Sequence, residues 1–585
     1  MERYEQVSVE ASRRSAHWFE ATIDSRALIG GVMRYKAVLL FGLAILLATA
    51  VVTVRFEPSL LIGNAAEAQL NPAAPRKALF VIDCAAAARP ISPLIYGIGG
   101  SDNAWATGTT ALRLGGNPTS RYNWELDTWN AANDWYFKNV GGAHPGVGQE
   151  LFLIEAKRRG VKATMTLPML GWVAKDATSY SFPVSVFGPQ QSTAPEQPDA
   201  GNGVGRDGRP IVPLSPELTS VRSTPQSIER FVRQIREKDR TRGRSVEGYI
   251  LDNEPMLWNS THRDVHPEPT TYDELLEKTI AYGAAIRRAD PEGKIAGPAE
   301  WGWLAYHYSA KDVAAGVFLR PDRRQHGDQP LIPWYLRNLR EYEQRTGVKI
   351  LDILDVHFYP MGDGLKLGGA GDTDPATAAR RLRATRSLWD PTYVDESWIN
   401  ERIQLLPLLR RWIAENYPGL GISIGEWDFG AEGHMSGGLA TAEVLGRFGL
   451  QGVTSAYRWG SPAERTPAFW AFRAYRNFDG EGGRFQDWSI PVRGESPLVT
   501  LFASRDDARR RVVAVLLNLA PASPLSTEIG LLGCGSVASA RGFTYAGGAA
   551  GFSKFVISPA KDRFTAQIAP YSINVIDLGM VPSAR

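Results

Sequence analysis

The chain has 585 residues, 44% hydrophobic and 22% charged, and 65 basic against 62 acidic side chains leave a net charge of +3. This is ordinary globular usage with no footprint for a polyanion, so nucleic acid is not expected as a partner. Two cysteines, Cys84 and Cys534, exclude a disulfide framework or a four-thiolate metal site. They are expected as free buried thiols, with pairing the alternative if the ends of the fold meet.

The N-terminal stretch stands apart from the fold. Ala37 to Val54 is an uncharged, almost wholly apolar run of 18 residues behind Arg34 and Lys36. It reads as a single membrane span with its N-terminus in the cytoplasm. With Met33 as the start, it reads instead as a signal peptide ending at Ala48-Thr49-Ala50. Residues 1–56 are therefore an export or anchoring segment and 57–76 a linker. The body of the protein is expected outside the cytoplasm, touching a membrane only through that segment.

Lys77 to Cys84 (KALFVIDC) is a strand with no helix after it. Apolar strand signals then alternate with helical ones: Leu94–Ile98, Ala111–Leu114, Val161–Leu167, Val246–Leu251, Lys294–Ala296, Ile353–His357, Gly421–Glu426 and Gly452–Tyr457. Between them, Thr224-Pro225 supplies a cap and a first-turn proline before Ile228, Phe231, Val232 and Ile235 on one helical face. Thr271 and Glu274 form a capping box, and a longer helix is expected from Ser397 to Asn416. Eight such units predict a TIM-like (β/α)8 barrel over residues 91–484. An open doubly wound sheet is the competitor, but no Gly-rich phosphate loop follows the first strand. The insertion at 172–223 is long enough to be functional and belongs to the carboxyl-end face. From about Phe485 the chain turns to β-rich segments (Leu498–Ala503, Arg511–Asn518, Phe564–Ile568, Ser572–Leu578) punctuated by Gly, Pro and Ser. These predict a C-terminal β-sandwich over 485–585 that takes in residues 77–90 as its first strand.

The chemistry gathers at two strand ends. Tyr249 to Leu251 is an apolar strand stopped by Asp252, Asn253, Glu254 and Pro255, and Ile422 to Ile424 runs into Gly425-Glu426-Trp427. Carboxyl ends of barrel strands are where such folds collect catalytic groups. Two carboxyl groups flanking a glycosidic bond are the machinery of sugar hydrolysis, one protonating the leaving oxygen and one attacking or activating water. The apolar Met256-Leu257-Trp258 stretch should raise the Glu254 pKa by desolvation.

Several motifs make this specific. They are Leu251-Asp252-Asn253-Glu254-Pro255 with Leu257-Trp258, Arg113-Leu114-Gly115-Gly116-Asn117, Arg121-Tyr122-Asn123-Trp124-Glu125, Asn133-Asp134-Trp135-Tyr136, Pro198-Asp199-Ala200-Gly201-Asn202-Gly203, Asp355-Val356-His357-Phe358-Tyr359-Pro360 and His434-Met435-Ser436-Gly437-Gly438. Together they resemble glycoside hydrolase family 44, the endo-β-1,4-glucanases and xyloglucanases. The resemblance implies a retaining enzyme with Glu254 as acid/base and Glu426 as nucleophile. The chain departs from that pattern at the nucleophile, where the family commonly shows Thr-Glu-Tyr and this sequence has Gly425-Glu426-Trp427.

Supporting roles follow from position. Asn253 is expected at the sugar 2-OH, Arg113 beside Glu426, and Tyr359, with His357 two residues before it, as a donor to the nucleophile. Trp459 is a candidate stacking floor under the reacting sugar, with Trp135 and Trp172 behind it. His262 and His266 are not expected to bind zinc, since Pro267 and Pro269 deny them a regular helix. Asp372 and Asp374 read as solvated loop. No metal or cofactor is assigned, a structural calcium being left open without residues, and a monomer is expected. The substrate reading is a β-1,4-glucan of cellulose or xyloglucan type. The alternatives are mannan or xylan, and a non-catalytic glycan-binding protein on the same barrel.

Overall fold

The computed structural model describes residues 77–100, 104–141, 147–559 and 562–581. The apolar run at 37–54 lies outside them. Among the described residues no helix is long and apolar enough to cross a membrane.

Eight parallel strands close into a barrel: Gly97–Gly99, Ala111–Leu114, Lys162–Leu167, Val246–Leu251, Lys294–Glu300, Ile353–Phe358, Gly421–Trp427 and Ser455–Trp459. Each pairs with the next in chain order, and the eighth returns to the first through Tyr457 beside Gly97 and Trp459 beside Gly99. The fifth strand runs four residues past its expected end, to Glu300, and two strands start three residues late for local reasons. Pro93–Tyr96 winds into a 3-10 turn capped by Ser92, so the first strand starts at Gly97. Gly452 ends helix Met435–Gln451 in the left-handed conformation that glycine adopts without a Cβ penalty, so the eighth strand waits until Ser455.

The barrel helices follow their apolar periodicity. Helix Pro225–Arg242 is capped by Thr224 and buries Ile228, Phe231, Val232 and Ile235. In helix Tyr272–Ala289 the box at Thr271 is only half made: Thr271 accepts from the Glu274 amide, while the Glu274 carboxylate turns to His266 Nε2 at 2.7 Å. The helix expected from Ser397 begins only at Leu405.

The C-terminal β-sandwich stacks a five-stranded on a seven-stranded sheet. It includes Leu525–Leu532 and Ser536–Tyr545, two strands whose small and polar residues hid them in the sequence. Strand Arg511–Asn518 binds the two bodies together. Val512, Ala514 and Leu516 enter the sandwich core, while Val513, Val515 and Leu517 join the hydrophobic core of the barrel. A strand buried on both faces reads as a continuous apolar run, as RVVAVLLN does.

Lys77–Asp83 runs parallel to Leu525–Leu532 in the five-stranded sheet, with Asp83 opposite Leu532. Parallel pairing brings the residues just beyond both strands to the same edge, and Cys84 and Cys534 are joined there in a disulfide. The expectation of free thiols is therefore wrong: sequence shows cysteine separation, not which strand ends coincide. The bond closes a loop of 450 residues, and bonds of this kind stabilise by about 2–5 kcal/mol. Cys534→Ser should lower the thermal midpoint, and dithiothreitol should bring the parent down to the same value. Equal midpoints for oxidised parent and variant would contradict this.

Candidate active site

The fourth barrel strand ends in a backbone that side chains hold in place. Asp252 and Glu254 both have left-handed φ, +61° and +47°, at a cost of order 1 kcal/mol each. The buried Asp252 carboxylate holds this turn by accepting from the Met169 and Leu170 amides at 2.5 and 3.0 Å, from Trp258 Nε1 at 3.2 Å and from the Ser120 hydroxyl. Glu254 is thereby fixed at the barrel mouth, with its amide on the Ala299 carbonyl at 3.1 Å.

Burial raises the Glu254 pKa to about 7, against a smaller opposing effect of the Arg113 charge. Its Oε1 lies 2.9 Å from His357 Nδ1. Burial lowers His357 to about 4, so this partner is a neutral imidazole. Glu426, on the seventh strand, sits in the opposite environment. Arg113 donates to its Oε1 at 2.5 Å and Tyr359 to its Oε2 at 2.8 Å. His357 Nδ1 is 3.5 Å from that same oxygen. Two buried carboxyls thus face each other, one with its pKa raised to about 7 by burial and the other paired with a guanidinium. That division of roles suits acid and nucleophile in one site.

Glu254, His357 and Glu426 bring ligand-type atoms within 4.8 Å of one another. The Arg113 guanidinium puts a fixed positive charge beside any cation placed there, so the cluster suits proton transfer and sugar better than a metal.

The altered neighbours of Glu426 turn away from the cleft. A Cβ on Gly425 would lie 2.6 Å from both carboxylate oxygens of the buried Asp355, so glycine leaves that carboxyl its space. Trp427 is fully buried, stacked on Phe472 and edge-on to Phe448. The departure from Thr-Glu-Tyr is thus a repacking behind Glu426.

The remaining expected residues separate. Asn253 accepts at Oδ1 from Arg113 Nη2 at 2.9 Å and donates from Nδ2 to Asn117 Oδ1 at 3.1 Å, which leaves one amide hydrogen for a sugar hydroxyl. Trp459 stands half-exposed at the end of the eighth strand, its ring lying over Gly99, Gly100 and Gly116. A Cβ on Gly116 would meet that ring at 2.6 Å. Trp135 is also half-exposed, its indole N–H held by Glu196 of the insertion at 2.7 Å. Trp172 is not a stacking face: it is buried in a ribbon at the base of the insertion, with the Arg222 guanidinium 3.8 Å over its ring.

The insertion itself is an ordered wall. Arg263, from the loop after the fourth strand, clamps it through the carbonyls of Asn202, Gly203 and Ile211. His262 is buried well apart in role from His266, which serves Glu274. Asp374 is the cap of helix Pro375–Ala384 rather than free loop. Asn117, Asp134 and Asp355 were present in the sequence motifs without a role. Asn117 meets Asn253 from the end of the fourth strand as well as Asp134 of its own loop, and Asp355 lies buried beneath Gly425 of the seventh strand, relations that spacing does not carry.

Fold and site together define a barrel glycoside hydrolase with two buried glutamates facing each other at its mouth. The family model for glycoside hydrolase family 44 matches residues 128–362. Endoglucanase A of Paenibacillus lautus is 30% identical over 522 residues, spanning 84% of this chain and 71% of the relative. The beta-mannanase/endoglucanase A of Caldicellulosiruptor saccharolyticus is 31% identical over 464 residues, 73% of this chain but only 33% of that protein's length. The crystal structure of CelM2, a bifunctional glucanase-xylanase from a metagenome library, superposes with a TM-score of 0.82 at 33% identity over 86% of this chain and 99% of its own. The chain belongs to glycoside hydrolase family 44.

Proposed function

We propose that this protein is an endo-acting hydrolase of β-1,4-linked glucans, plain or xyloglucan-like, working by double displacement with retention. The observation that carries the reading is the facing of Glu254 and Glu426 in opposite charge environments, with carboxylate oxygens within 4.8 Å. Retaining glycosidases place their carboxyl groups ~5 Å apart, whereas inverting ones need roughly 6.5–9.5 Å to admit a water between. In the first step Glu426 attacks the anomeric carbon as Glu254 gives its proton to the departing glycosidic oxygen. In the second, the Glu254 carboxylate takes a proton from water, whose oxygen attacks the same carbon and releases Glu426. Arg113 and Tyr359 keep both oxygens of Glu426 oriented throughout, and Trp459 offers a flat face at the barrel mouth for a sugar ring.

Glucan is the substrate named for all three relatives, mannan or xylan for one each, so glucan is the reading preferred here. The Cys84–Cys534 disulfide supports a site of action outside the reducing cytoplasm. The test is hydrolysis of carboxymethylcellulose, xyloglucan, mannan and xylan, with product anomers followed by NMR in the first minutes. Initial β-anomer from a glucan is expected; initial α-anomer would contradict retention, and no cleavage of any of the four would sink the activity.

A further inference from the structure

A third carboxyl-bearing strand-end loop reaches the same site. Asp134 lies in a 3-10 turn, Ala132–Trp135, within the loop after the second barrel strand. It is half-buried, unlike the catalytic pair. Both its oxygens accept from Asn117 Nδ2, at 3.2 and 3.1 Å. From there hydrogen bonds run inward without a gap: Asn253 Nδ2 to Asn117 Oδ1, Arg113 Nη2 to Asn253 Oδ1, and Arg113 Nη1 to Glu426 Oε1.

The direction of this line is fixed chemically. A guanidinium only donates, so Asn253 must turn its oxygen to Arg113 and its amide to Asn117. Asn117 must then present its oxygen inward and its own NH2 outward, where an acceptor is required. Asp134 is that acceptor, and it accepts through an oxygen whether ionised or protonated. The loop is built to hold it there. Ala132, Tyr136 and Phe137 all adopt left-handed φ, and Asn130 closes the loop by accepting from the Ala132 amide and donating to the Phe137 carbonyl, both at 2.9 Å. Backbone strain that neighbouring hydrogen bonds maintain is a feature of functional sites.

We infer that Asp134 is a further positioning residue of the reaction: it terminates the line through Asn117 and Asn253 that aims the Arg113 guanidinium at Glu426. The inference rests on Glu426 being the nucleophile. Its action is on the transition state, where the charge on Glu426 is lost and its angle of attack matters, rather than on ground-state binding.

The experiment compares Asp134→Leu, Asp134→Asn and Asn117→Ala on a soluble glucan. Asp134→Leu should lower kcat by several-fold to about 10-fold, the worth of a hydrogen bond lost from a half-buried donor, with KM within about twofold. Asp134→Asn keeps an acceptor oxygen and should recover most of that loss. The double variant Asp134→Leu/Asn117→Ala should be no worse than the poorer single, since both cut one line. Thermal midpoints check that each variant is folded. A parental kcat in Asp134→Leu, a change in KM alone, or fully additive losses in the double would overturn the inference. Labelling with a 2-deoxy-2-fluoro glycoside separates it from the reading beneath it. Label on Glu426 with unchanged kcat in Asp134→Leu removes the positioning role only, and label on another residue removes both.

Discussion

Glu426→Gln should lower kcat on polymeric glucan by on the order of 10⁴-fold or more, because the amide can neither attack the anomeric carbon nor leave it. The shape of the site should survive. Gln keeps an oxygen for the Arg113 Nη1 donor at 2.5 Å and an NH2 near the Tyr359 hydroxyl oxygen, so substrate binding is expected to persist while turnover stops. Glu426→Gly with added azide gives the complementary result. The small anion enters the space vacated by the carboxylate and attacks in its place, and a glycosyl azide of inverted configuration should accumulate. Full activity in Glu426→Gln, or a rescued product of retained configuration, would assign the nucleophile elsewhere.

Glu254→Gln should cost on the order of 10²- to 10⁴-fold on polymer, the usual contribution of a placed general acid. An aryl glycoside whose leaving group needs no proton should lose far less in its first step, so the glycosyl-enzyme should build up and give a burst of the phenol. The pH profile carries the same information. Burial raises Glu254 to about 7, so it is protonated below that pH and ionised above. The acid role needs the proton, and the parent rate should therefore fall with rising pH from about 7. Asp134 is raised to the same range, first by burial and then by the charges of Glu254 and Glu426, so the limb is a shared titration of neighbouring carboxyls. In Glu254→Gln the limb on polymer should flatten. An unchanged limb would mean that another group donates the proton.

Strand runs such as Val246–Leu251, and the caps and apolar faces of helices such as Pro225–Arg242, depend on residues a few positions apart, so pattern alone reveals them. Glu254 and Glu426 were legible for the same reason, each being a polar stop at the end of an apolar run. Leu525–Leu532, mixed in polarity, carried no such pattern. Trp172 looked like a binding face because aromatic character is visible in sequence, while the Arg222 guanidinium that covers it comes from 50 positions further along.

The sequence by itself determined the barrel, its sandwich and the identity of the two facing glutamates, because periodicity and strand punctuation are local properties. Tertiary structure alone decided who meets whom. Closure of eight strands brings Arg113 of the second to Glu426 of the seventh and His357 of the sixth to Glu254 of the fourth. Parallel pairing at the edge joins Cys84 to Cys534, and the left-handed loop presents Asp134 to Asn117. These contacts depend on register and closure between segments far apart in the chain, as do the burial that raises Glu254 and the guanidinium that pairs with Glu426.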